Sequence, residues 1–454
     1  MTYDLIVIGG GPGGYTAAER AGRAGLSVLL AEKRALGGVC LNEGCIPSKT
    51  FLHSAKIADY AKNGSAYGVI AEGVKLDHAA VVRRKNRVVK KLVAGLEMKM
   101  KKNNVTVVNG EAVISGRAYD GFRVKVNDTE YTGKRLLIAA GSVPAMPPVP
   151  GLEDSYKKGI AVTNREIFDI ETIPERLVII GGGVIGLEMA SYFNSAGSRV
   201  TVVEMLDHIA GPTDREISGI LLNNFRKKGI DFHLSAKVIE IKGNEVIFES
   251  PEGIQSVSGD KILVSIGRKP DTKGLGLETI GVETDGGRII TDEFLRTNIP
   301  EVYAAGDVNG ISMLAHTAYR EAEAAVNNIL GKRDRMRYFA VPSVIYTNPE
   351  VASVGETTES AQEKGLDVEI IKLPLSYSGR YVAETERGDG IVKILIDKQY
   401  RTIRGLHIIG SYASEIIYGA AVMMETEMRV NDIREIVFPH PTVGEVIREA
   451  MFEA

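Results

Sequence analysis

The segment Tyr3 to Glu32, YDLIVIGGGPGGYTAAERAGRAGLSVLLAE, aligns without a gap with residues 175 to 204, ERLVIIGGGVIGLEMASYFNSAGSRVTVVE, at an offset of 172. Each copy reads as an apolar strand, a GxGxxG turn (Gly9, Gly11, Gly14; Gly181, Gly183, Gly186), a helix, a glycine ending that helix, and a second strand closing on Glu32 or Glu204. This pattern predicts a βαβ unit, twice. In such a turn the first glycine permits the tight bend, the second lets backbone approach a pyrophosphate, and the third lets helix pack on strand. The helix N-terminus then binds the phosphates. The closing acid stands 23 residues after the first glycine in both copies, where a carboxylate accepts hydrogen bonds from adenosine ribose hydroxyls. A single GxGxxG also fits a glycine-rich turn with no ligand. Its recurrence in register, with strands, helix and acid, points to two dinucleotide sites.

Two dinucleotides in one chain suggest hydride passage between a nicotinamide and a flavin. The 454 residues allow roughly three domains. A net charge of −3 gives no overall electrostatic case for nucleic acid or an anionic membrane. No apolar run reaches the ~18 residues of a membrane span, and a strand pattern starting at Tyr3 leaves no room for a secretory leader. The expected compartment is the cytoplasm. The stretch from Arg83 to Lys102 carries nine Lys or Arg against one Glu. Val82, Val89, Leu92, Val93, Leu96 and Met100 recur there at helical spacing, so the charges are expected on the solvent face of an amphipathic helix, with an acidic docking partner as the alternative.

The chain has only two cysteines, and both lie in one six-residue stretch, Cys40-Leu-Asn-Glu-Gly-Cys45. That is too few for a secreted disulfide framework. A pair so spaced can exchange with a substrate disulfide through one sulfur while the other faces an electron acceptor. Pro47 suits a helix start, whose dipole favours a thiolate. A structural disulfide or a pair of metal ligands are the alternatives, although no neighbouring His or Cys completes the four ligands zinc wants.

The segment Gly37-Gly-Val-Cys40-Leu-Asn-Glu-Gly-Cys45-Ile-Pro-Ser-Lys49 closely resembles the redox-active segment of the flavoprotein disulfide reductases, and its Cys-Ile-Pro-Ser-Lys ending is most similar to the dihydrolipoamide dehydrogenases among them. The resemblance extends over nearly the whole chain. It takes in both dinucleotide units, the strand ending in Gly306-Asp307, and a C-terminal Phe438-Pro-His440-Pro-Thr-Val-Gly-Glu445, all in the family's order. It implies FAD on the first copy, held by Gly9, Gly11, Gly14, Glu32, Lys49, Gly141, Gly306, Asp307 at the ribityl chain, and Ala315. It implies NAD on the second, with Gly181, Gly183, Gly186, Glu204 and Gly267. Cys40 is then the interchange thiol and Cys45 the flavin-proximal one, with Lys49 and Glu188 paired beside the flavin ring. His316 falls where the family sets a helix N-terminus against the flavin. His440, oriented by Glu445, becomes the base that reaches the partner subunit's disulfide, which requires a homodimer. Members usually carry Ser before that Glu, and this chain has Gly444. Taken alone, Gly306-Asp307 is a turn after a strand, Lys49 and Glu188 are surface charges, and His53, His78, His208, His233 and His407 are structural.

An acid at Glu204 repels a 2′-phosphate and accepts from a free 2′-hydroxyl, so NAD is expected over NADP. No arginine follows within Met205 to Ala210. The expected activity is oxidation of dihydrolipoamide through Cys40 and Cys45, with electrons passing to FAD and NAD. The implied partner is the lipoyl-bearing protein of a 2-oxoacid dehydrogenase complex or of glycine cleavage. Rival readings are an NADH-dependent reductase of a glutathione- or coenzyme A-type disulfide, and a non-enzymatic flavin redox sensor. The expected architecture is α/β: an FAD domain at 1–145, an NAD domain at 146–270, a return to the FAD domain at 271–335, and an α+β interface domain at 336–454, where Gly390-Ile-Val-Lys-Ile-Leu-Ile alternates like an antiparallel strand. Leu136 to Gly141 and Ile262 to Gly267, apolar strands capped by glycine, mark the crossings between the domains.

Overall fold

The computed structural model describes residues 2–454, which form two compact units. The first comprises the residues up to Thr50 with Val82–Ala145 and Gly267–Arg337. Its centre is a five-stranded parallel sheet in the order Val302–Ala304, Leu136–Ile138, Leu5–Ile8, Val28–Glu32, Val105–Asn109. The strands Leu5–Ile8 and Val28–Glu32 are buried at every position, as expected of parallel strands covered on both faces, which explains their unbroken apolar runs. Beside it lies a four-stranded sheet of Thr2–Tyr3, Thr129–Gly133, Gly121–Val126 and Ala112–Ala118. The basic stretch falls in one helix, His78–Lys102, with Leu96 and Met100 buried and Lys90, Lys91, Lys101 and Lys102 exposed, as its apolar spacing predicts, whereas Lys85 is buried and Leu92 exposed.

The second unit comprises Phe51–Val81, Met146–Ile266 and Tyr338–Ala454. It repeats the parallel sheet, here in the order Ala161–Val162, Lys261–Val264, Arg176–Ile180, Arg199–Val203, Asp231–His233. Four strands correspond one to one between the sheets. The fifth does not: Val302–Ala304 comes late in the chain and Ala161–Val162 precedes its own glycine turn. The segments Leu136 to Gly141 and Ile262 to Gly267 each begin as a core strand of one of these sheets.

Residues 341 onward form a five-stranded antiparallel sheet, Ser343–Ile345, Glu350–Gly355, Ile403–Gly410, Ile391–Asp397, Val368–Pro374, against the helices Ala413–Glu425 and Glu445–Phe452. Their core includes Val392, Ile394, Leu406, Ile417 and Ile447. Among the described residues no helix is long and apolar enough to cross a membrane.

Candidate active site

In both glycine turns the backbone does what the pattern predicts. Gly9 and Gly181 adopt φ of +101° and +104°, and a Cβ on Gly9 would lie 2.3 Å from Ala139 O, so only glycine fits. The helices Pro12–Arg23 and Val184–Ala196 begin at Gly11 and Gly183, and neither N-terminus is capped by a side chain. Around the Cβ position of Gly11 the nearest atom is Gly38 Cα at 3.8 Å. Uncapped N–H groups above a side-chain-free surface suit a pyrophosphate, so these residues fit a dinucleotide in each copy.

The two acids are placed by matching bonds. Glu32 accepts from Gly10 N and Arg34 N, both at 2.7 Å. Glu204 accepts from Gly182 N at 2.5 Å and Leu206 N at 2.7 Å. Each carboxylate therefore ties the middle of its glycine turn to the end of the second strand, a position from which ribose hydroxyls can be recognised.

The cysteine pair is carried by two consecutive helices. Cys40 lies within Gly38–Glu43, Gly44 breaks the chain direction, and Cys45 opens the helix Cys45–Lys62, two residues ahead of Pro47. This segment is tied to the first glycine turn, because Gly37 N donates to Gly10 O at 2.8 Å. Gly38, at φ +57°, comes so close to that turn that a Cβ would lie 2.7 Å from Gly11 Cα. The dithiol segment and the first glycine turn are thus one assembly. Both cysteines are reduced and half-buried. The Cys40 thiol is pushed up by its hydrogen bond to Cys45, then by burial, with Lys49 pulling the other way. Lys49, one turn into the helix, donates to Ser48 Oγ at 3.3 Å.

Further along the first unit, the helix Ala315–Ile329 starts at Ala315 with no side-chain cap and carries His316 in its first turn. Its Tyr319 hydroxyl lies 2.6 Å from that of Tyr15, on the first glycine-turn helix. Burial, then this contact, pushes the Tyr15 phenol up. Asp307 accepts from Ser142 Oγ. Glu321, fully buried, accepts from Gly306 N at 2.5 Å and Asn309 Nδ2 at 3.1 Å. Sequence reasoning missed Glu321 and Ser142. The signal for Glu321 was a carboxylate on the Ala318, Ala322, Ala325 face of an otherwise apolar helix stripe.

In the second unit Glu188 is buried on its helix and accepts from Tyr346 N at 3.1 Å, which is not the setting of a surface charge. His440 Nδ1 lies 3.1 Å from Glu445 Oε1, and Glu445 also accepts from Thr442 N at 2.9 Å. Gly444 takes an ordinary helical φ of −65°, and a Cβ there would meet only Ile416 Cγ1 at 3.7 Å, so the missing serine reflects no lack of space. His78 and His407 are buried, in keeping with structural roles.

Residues 3–322 match the family model described as pyridine nucleotide-disulphide oxidoreductase, and residues 341–451 match the dimerisation domain of that family. The chain is 38% identical over 458 residues to the dihydrolipoyl dehydrogenase of Mycoplasma genitalium, covering 100% of this chain and 99% of the relative. It is 40% identical over 457 residues to the mitochondrial dihydrolipoyl dehydrogenase of Pisum sativum, covering 98% and 90%. The crystal structure of LpdA from Mycobacterium tuberculosis superposes with a TM-score of 0.89 at 27% identity, covering 99% of each chain.

Proposed function

The chain belongs to the pyridine nucleotide-disulphide oxidoreductase family, a family of flavoprotein enzymes with a dimerisation domain, and from that premise we propose that it is the NAD-dependent dehydrogenase of protein-bound dihydrolipoamide. The observation that carries this reading is the Cys40 and Cys45 pair bonded through Gly37 to the glycine turn of the first dinucleotide unit. Full-length identity of 38–40% to dihydrolipoyl dehydrogenases favours lipoamide over another disulfide. The carboxylate of Glu204, anchored on Gly182 N and Leu206 N, favours NAD.

In this reading the first unit binds FAD through Gly9, Gly11, Gly14, Glu32, Gly141, Asp307 and the helix start at Ala315. Residues 146–270 bind NAD through Gly181, Gly183, Gly186, Glu204 and Gly267, and residues 336–454 form the dimer interface. His440, oriented by Glu445, takes the proton from one thiol of dihydrolipoamide across the dimer. The resulting thiolate attacks Cys40, breaking the Cys40–Cys45 bond and forming a mixed disulfide. The second substrate thiolate displaces Cys40, releasing lipoamide and leaving both electrons on the cysteine pair. In this reading Cys40 is the interchange thiol, and Cys45, which opens the helix Cys45–Lys62, gives the electrons onward. Lys49, on the same helix, is the cation that the family's pattern sets beside the flavin ring. FAD and NAD, when bound, supply the electron and hydride transfer that follows.

The test is anaerobic NAD reduction by dihydrolipoamide with the purified holoenzyme, beside NADP reduction by reduced glutathione. Fast NADH formation in the first alone is expected. Bleaching of the flavin by NADH with neither couple turning over would remove the lipoamide assignment and leave another disulfide as substrate.

A further inference from the structure

The chain leaves for residues 146–266 and returns through a two-stranded antiparallel ribbon, Ser142–Pro144 paired with Arg268–Pro270. Ala145 N donates to Gly267 O at 3.0 Å and closes its end. The ribbon bears on the Gly306-Asp307 turn through one side chain from each strand. Arg268 donates from Nε to Ser142 Oγ at 2.7 Å and from Nη2 to Ser142 O at 2.7 Å. Ser142 Oγ donates to Asp307 Oδ2.

The direction of this chain is forced. A guanidinium has no acceptor, so Ser142 Oγ must accept from Arg268, and its single proton is then free to point only at the carboxylate. A hydroxyl polarised by a cation donates more strongly than an isolated one. On the other side Glu321 fixes Gly306 N and Asn309 Nδ2, and Gly306 sits at φ +80° with a Cβ position 3.3 Å from Ala318 Cβ. The turn that carries Asp307 is held by Glu321, and the Asp307 carboxylate itself is engaged at Oδ2 by Ser142.

We infer that Arg268 and Ser142 are positioning residues for FAD: the crossover ribbon orients Asp307 so that the carboxylate presents its remaining acceptor sites to the ribityl hydroxyls. This rests on the reading that Asp307 holds FAD. Neither residue belongs to a glycine fingerprint.

The experiment measures FAD release from diluted holoenzyme by the fluorescence of freed flavin, for wild type, Ser142→Ala, Arg268→Gln, Asp307→Asn and the double variant Ser142→Ala/Asp307→Asn. Loss of one hydrogen bond to a charged group predicts release at least about tenfold faster in Ser142→Ala and Arg268→Gln. The double variant is expected to release FAD no faster than Asp307→Asn alone, since Ser142 acts through Asp307. A shift of the flavin absorption band in the single variants, with thermal unfolding unchanged, is the second expected sign. If Asp307→Asn releases FAD at the wild-type rate, the underlying reading of Asp307 falls. If it releases FAD quickly while Ser142→Ala and Arg268→Gln do not, or if the effects of Ser142 and Asp307 multiply, the positioning role is overturned and the Asp307 reading stands.

Discussion

His440 Nδ1 is 3.1 Å from Glu445 Oε1, yet 76% of the His440 side chain is exposed while only 15% of the Glu445 side chain is. The orienting carboxylate is fixed in the protein and the imidazole projects away from it. With Nδ1 toward the carboxylate, Nε2 is presented outward, and in the proposed function it is the nitrogen that meets the substrate thiol.

For this pair, His440→Ala is expected to slow reduction of the enzyme by dihydrolipoamide by about 10²–10⁴-fold. Flavin reduction by NADH should stay within about twofold of wild type, because that half-reaction needs no proton taken from a thiol. Stopped-flow measurement of both half-reactions checks this, and equal losses in the two would count against a base role.

In the proposed function nucleotide choice depends on Glu204, whose two oxygens each accept one backbone N–H. Glu204→Ala is expected to raise KM for NAD about tenfold, with a smaller change in kcat, since it removes binding rather than chemistry. Initial rates with NAD and NADP would show the preference between them narrowing. An unchanged ratio would place the discriminating residue elsewhere.

Asp214 and Lys393 form a buried ion pair at 2.9 Å, and Asp214 is also the N-cap of the helix Arg215–Lys227. Burial pushes the Asp214 carboxyl up, but the hydrogen bonds from Lys393 and Thr358 outweigh burial and hold it at about 2. A depressed carboxylate stabilises the fold above its unfolded value, so this contribution is full at neutral pH and is lost as pH falls from about 4 to about 2. Lys393→Met strands a buried charge and is expected to cost about 3–5 kcal/mol in denaturant unfolding. Adding Asp214→Asn should restore part of that loss.

A second pH dependence has a different source. His407 is fully buried, its Nε2 lies 2.8 Å from Glu356 O, and its Nδ1 has no hydrogen-bond partner among the described residues. Burial pulls its pKa down. The unfolded chain then binds the proton more readily, so stability declines as pH drops below about 6.5. His407→Leu should flatten the fall in Tm between pH 7 and 5. His78, pulled down by burial in the same direction, supplies a residual slope.

What the sequence by itself determined is local: two βαβ units with their glycines and closing acids, the paired cysteines ahead of a helix, and the His-to-Glu spacing before the C-terminal helix. These features are legible because strand and helix periodicity, turn chemistry and motif spacing all act within some thirty residues of chain. Tertiary packing settles which outer strand completes each parallel sheet, since Val302–Ala304 and Ala161–Val162 are both short and apolar. It also decided that Ser142 bonds Asp307 across 165 residues, that Lys393 neutralises Asp214 across 179, and that Glu321 is buried under the Gly306 turn. The physical reason is that a polar side chain carries no mark of its partner in its own neighbourhood. Burial must be satisfied by hydrogen bonds, and which residues satisfy it is settled only when distant segments pack together.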